Sequence, residues 1–124
     1  DVCSSDLGEQ IARLHLGELL ARSGRTAEGI AEFERAVETF PNHAALRNNL
    51  ATALFIEGRL EEAVGHYRVA VRLDPEYFNA WFNMGRALGT LGRVDEARVA
   101  LAAAGELRPG SPEVAEAIAS IGRD

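Results

Sequence analysis

The sequence predicts an all-α protein, an α-solenoid of three helix hairpins stacked side by side and followed by a seventh helix. Two observations carry this expectation. The segments LGELLARSGRTAEGIAEFERAVETFP, LATALFIEGRLEEAVGHYRVAVRLDP and MGRALGTLGRVDEARVALAAAGELRP share one skeleton, 34 residues apart, closing at Pro41, Pro75 and Pro109. Within each half-unit the apolar and small residues stand three or four apart, the period of a helix with one buried face. A repeat of this length holds two helices, which bury apolar surface only against their neighbours.

Each element follows in order. The first helix is expected over 8–22, with Leu16 and Leu20 on its buried face and Glu18 four residues before Arg22, an ion-pair spacing. Gly24 ends it, because a chain reversal at that point favours positive φ. The second, 26–39, sets small Gly29 and Ala36 around Phe33 so that two helices can approach closely. Pro41 stops it, since proline cannot extend a helix. The same logic gives 43–57 (Leu50, Ala51, Leu54, then Gly58) and 60–73 (Ala63, Tyr67, Ala70, then Pro75). It also gives 77–91 (Trp81, Met84, Gly85, Leu88, then Gly92) and 94–107 (Ala97, Leu101, Ala104, then Pro109). The last, 112–122, opens with Ser111-Pro112-Glu113, an N-cap, a first-turn proline and a first-turn acid. Its stripe of Val114, Ile118 and Ile121 suits a solvating cap or the first half of a fourth unit equally well.

These residues closely resemble the tetratricopeptide repeat, whose motif is Trp-x2-Leu-Gly-x2-Tyr, Ala-x3-Phe-x2-Ala and a closing Pro. The third unit shows it most fully, as Trp81, Met84, Gly85, Leu88, Ala97, Leu101, Ala104 and Pro109. Arg13 and Arg47 stand at the tryptophan place of the first two units. The resemblance implies a right-handed superhelix with units 10–43, 44–77 and 78–111, a final helix 112–122, and a repeat domain over 8–124. Asp1–Leu7 resembles a translated sequencing adaptor and is set apart from the domain as an artefactual segment. The native start is then expected to be missing, and Cys3, the one cysteine, says nothing of redox compartment or location.

The chain is modestly acidic, with net charge −6, and all its thirteen basic residues are arginines scattered singly. A nucleic-acid partner usually asks for a basic stripe, so none is expected. Membrane insertion is not expected either, because no apolar run approaches the roughly 18 residues of a spanning helix. His15, His43 and His66 lack metal-ligand spacing, and no Gly-rich loop follows a strand, so no cofactor, metal or catalytic site is expected. Glu61-Glu62 and Glu113/Glu116 read as solvated first-turn acids, and Trp81 as packing.

By family position the concave wall comes from the first helix of each unit. That assigns the groove to Leu14, His15, Glu18, Ala21 and Arg22; then to Asn48, Asn49, Thr52, Phe55 and Ile56; then to Asn79, Phe82, Asn83, Arg86 and Thr90. Asn49 and Asn83 occupy one register, and a row of amides can bridge the N–H and C=O groups of an extended guest. In placement they resemble the asparagine ladder in the superhelix of O-linked N-acetylglucosamine transferase. A carboxylate clamp, the mode of chaperone cochaperones, fits poorly. Its five places hold Leu14, Glu18, Asn49, Phe82 and Arg86, of which two match.

The expected function is a non-catalytic protein-interaction scaffold that binds an extended peptide or protein segment. The alternative is a substrate-selecting or dimerising repeat region of a larger enzyme such as a glycosyltransferase. Self-association through exposed repeat ends is a further expectation, since a first helix without a preceding unit leaves apolar surface bare.

Overall fold

The computed structural model describes residues 4–121. Seven helices follow in order: α1 Ser4–Arg22, α2 Thr26–Thr39, α3 Ala44–Ile56, α4 Leu60–Leu73, α5 Phe78–Thr90, α6 Val94–Leu107 and α7 Pro112–Ser120. Hairpins α1/α2, α3/α4 and α5/α6 stack in sequence, and α7 lies on α6. Helix α1 begins four residues before the expected start, so Ser4–Leu7 of the adaptor-like segment is helical; Asp1–Cys3 lie outside the described residues. His43 and Tyr77 are N-caps rather than first helical residues, and His43 accepts from the Leu46 backbone N–H at 3.3 Å.

The turns inside the hairpins are one structure used three times. Gly24, Gly58 and Gly92 have φ of 83°, 84° and 82°. Each is spanned by a bond from the following arginine N–H to a carbonyl five residues back: Arg25 to Leu20, Arg59 to Leu54 and Arg93 to Leu88, all at 2.9 Å. That is the closure of a Schellman motif, which needs the left-handed conformation at its glycine.

One apolar core runs through the stack, with Phe33, Leu50, Leu54, Tyr67, Leu88 and Leu101 almost fully buried. It is continuous because each unit covers the next. The same motif place is 1% exposed at Leu50 and 4% at Met84 but 43% at Leu16, which no described unit precedes. Leu16 therefore departs from the expected burial, and with Leu7, Ile11 and Leu19 it leaves an exposed apolar set on α1. Helix α1 touches α3, and α3 touches α5, while the second helices make no comparable contacts with one another. The first helices are thus the closely spaced, inner side of the curve.

Helix α7 stands where the first helix of a fourth unit would, capped as expected by Ser111 Oγ accepting from the Val114 N–H at 3.4 Å. Its approach differs from that of α5. Gly110 has φ 81°, which suits a type II turn after Pro109, whereas Glu76 after Pro75 has negative φ. Helix α7 packs on α6 but makes no contact with α5 comparable to that of α5 with α3. The space between α5 and α7 stays open except at the α7 C-cap, where the Ile121 side chain lies against Gly89.

Candidate functional site: the inner wall

Two hollows lie along the inner side. The first, about 280 Å³, is lined by Glu18, Ala21 and Arg22 of α1, Phe33 of α2, and Asn49, Thr52, Ala53 and Ile56 of α3. Its floor is apolar because small Ala21 and Ala53 bring the helices close over the Phe33 ring. Its rim is polar. Glu18 accepts from Asn49 Nδ2 at 3.0 Å, and Asn49 Oδ1 accepts from Asn48 Nδ2 at 3.1 Å. Glu18 forms no ion pair with Arg22, despite their helical spacing; Asn49, on the neighbouring helix, takes that carboxylate instead.

The second hollow, about 620 Å³, is bordered by Phe82, Arg86, Gly89 and Thr90 of α5, by Val94 and Leu101 of α6, and by Glu113, Glu116, Ala117 and Ser120 of α7. The Arg86 guanidinium lies 5.4 Å from the Phe55 ring centre and 5.7 Å from that of Phe82. Phe82 stacks on Phe78 at 5.7 Å, with ring planes 9° apart, and Arg108 covers Phe78 at 3.9 Å. Cation–π attraction to ring faces holds both guanidinium groups without spending their edge N–H donors.

Between the hollows lies a polar seam. Thr52 Oγ1 bonds to the Asn48 carbonyl at 2.9 Å and to the Tyr67 hydroxyl at 2.8 Å. Burial pushes the Tyr67 hydroxyl pKa up to about 12, opposed by hydrogen bonding from Thr52, the Arg86 charge and the Asn83 amide. Tyr77 is raised as well, again by burial.

Most of the sequence-assigned residues therefore meet on one wall, with two corrections. Asn48 is only 6% exposed and belongs to the interior, where the α3 face that bears it turns back onto the stack. Its Oδ1 is buried without a hydrogen-bond partner. Asn79 is exposed but borders a separate hollow with Asp74, Tyr77, Phe78 and Arg108 near the turn into α5. Leu14 is half-buried against the core, and His15 is exposed at the α1 end. Phe33, Ala53, Glu113 and Glu116 join the wall without having been assigned. The 34-residue register could have found the last of these, because Glu116 stands one repeat after Phe82.

The tryptophan place shows how two residue types do one job. Trp81 Nε1 donates to the Pro75 carbonyl at 2.8 Å, and Arg47 Nε donates to the Pro41 carbonyl at 3.1 Å. Arg47 also donates from Nη1 to His66 Nδ1 at 3.2 Å. Among the described residues no cluster of three His, Cys, Asp or Glu side chains could hold a metal ion. No described helix is long and apolar enough to cross a membrane.

Two models of the tetratricopeptide repeat match the sequence, over residues 14–78 and 54–121. Each spans more than half the chain, and the protein belongs to the tetratricopeptide repeat family. No curated protein matches it in sequence. Among solved structures it is similar to the second tetratricopeptide domain of human RPAP3 in complex with the HSP70 peptide SGPTIEEVD. That match has a TM-score of 0.88 at 24% identity, covering 94% of this chain and 98% of the other. The first such domain of Spaghetti (RPAP3), bound to the HSP90 peptide SRMEEVD, gives 0.87 at 23% identity, covering 90% and 89%. A mutant of MamA gives 0.79 at 31% identity, covering 86% of this chain and 62% of the other.

Proposed function

We propose that the protein is a non-catalytic interaction module that holds an extended polypeptide segment along its inner wall. One observation carries this: the inner side bears two open hollows, one between α1 and α3 with an apolar floor and polar rim and one beside α5, with a polar seam at Thr52 between them. The two RPAP3 neighbours are peptide-bound domains of the same fold, which supports a peptide as the class of guest.

Their EEVD-type peptides do not carry over. Of the five carboxylate-clamp places only Asn49 and Arg86 hold a matching residue, and Leu14 and Phe82 stand where lysines are needed. Glu18 would also repel an incoming carboxylate. The guest is an internal segment rather than an acidic chain end. Asn49 has one amide N–H and one carbonyl lone pair uncommitted after its two bonds, enough to bridge a guest's backbone, and Asn83 repeats the place one unit on. Phe55, Ile56 and Phe82 supply apolar contact.

Peptides selected from a displayed random library should bind the Asn49→Ala/Asn83→Ala variant more weakly than the parent protein. Unchanged affinity, with the helical circular dichroism signal intact, would remove the ladder from this account.

A further inference from the structure

Glu18, Thr52 and Arg86 occupy one register on α1, α3 and α5, yet one is acidic, one neutral and one basic. Glu18 uses Oε2 to accept from Asn49, and no arginine among the described residues pairs with it. Its carboxylate stands over the apolar floor of the first hollow, a shape that suits a side chain with an aliphatic stem and a cationic head. Arg22 also borders this hollow but is solvent-exposed at the end of α1. Arg86 has no carboxylate within ion-pair distance among the described residues, and its ring-stacked faces leave the donor edges open. Beyond it the wall turns negative again at Glu113 and Glu116 of α7.

We propose that the inner wall reads the order of charge along its guest: basic at the α1 end, acidic at α5, and basic again at α7. This rests on the groove reading above. Two helix-to-helix steps of about 8–10 Å each, covered by an extended chain at about 3.3–3.6 Å per residue, put the first basic and the acidic residue about four to six positions apart.

The test displays random twelve-residue peptides against the intact chain and measures the winners as synthetic peptides. Winners should carry a basic and an acidic residue at that spacing. Each should lose about two- to fivefold in affinity on Arg86→Glu, the range of one exposed ion pair, and recover when its acid is replaced by lysine. Glu18→Arg should act the same way on the basic residue. Exchanging the basic and acidic residues of a winner for one another tests the unmodified protein, independent of any effect of substitution on folding. Winners that lack the pattern, or that tolerate both charge reversals, overturn the charge reading and leave the groove standing. If no peptide is recovered, or if binding is indifferent to Ile56→Arg and Phe82→Ala, the groove reading and this one fall together.

Discussion

Three helical glycines offer a controlled test of how tightly the hairpins close. At Gly65 in α4 an added Cβ meets nothing within 4 Å. At Gly85 in α5 it would lie 2.6 Å from Leu101 Cγ and 2.8 Å from Cδ2, and at Gly17 in α1 it would run into the Phe33 ring. Leu101 and Phe33 are 0% and 1% exposed, so a shift of either must be taken up by repacking of its neighbours. Alanine gains about 0.8–1 kcal/mol over glycine in a helix interior, so Gly65→Ala should stabilise by about that amount. Overpacking costs about 1–3 kcal/mol, which should turn the same gain into a net loss of up to about 2 kcal/mol at Gly85 and Gly17. Urea denaturation of the parent and the three variants reads this directly, with unchanged slopes as the check on two-state behaviour. If Gly85→Ala stabilises as much as Gly65→Ala, the close approach of α5 and α6 is not what places glycine there. Ala51 holds the equivalent place in the second unit, opposite Tyr67, and is fully buried. The tolerance therefore depends on how the partner side chain is placed, not on the position alone.

Trp81 is half-buried rather than enclosed, so Trp81→Ala should cost roughly 2 kcal/mol, below the 3–5 of a fully buried aromatic. Trp81→Arg, which copies Arg47, should cost less than alanine in the same denaturation assay; equal losses would discount the bond to the Pro75 carbonyl. His66 has its pKa lowered, first by burial and then by the Arg47 guanidinium, against the pull of Glu34 and Glu62. The folded state therefore binds this proton less readily than the unfolded chain. Stability from this site is complete above the unfolded value of about 6.5 and is lost as pH falls through the lower folded value. The urea midpoint of the parent should drop more between pH 7.5 and 5 than that of His66→Gln, and matching drops would refute the assignment.

The limits of sequence reading show in particular residues. Six of the seven helices keep their expected bounds to within two residues, because glycine at each reversal and proline at each unit end are local signals. Asn48 and Asn49 are adjacent and chemically identical, yet one is buried and the other reaches Glu18 on another helix. Nothing local separates them. Glu18 and Arg22 illustrate the converse: an ideal helical spacing that the neighbouring unit overrides.

The chain's own residues determined that it folds as nested helix pairs, since periodicity, turn glycines and closing prolines act within a few positions of themselves. Which amides face inward, which arginine lies between two rings, and where the wall opens were decided only in three dimensions. Those outcomes depend on side chains 15 to 31 positions apart meeting across packed helices, and close packing lets each neighbour settle what the other can do.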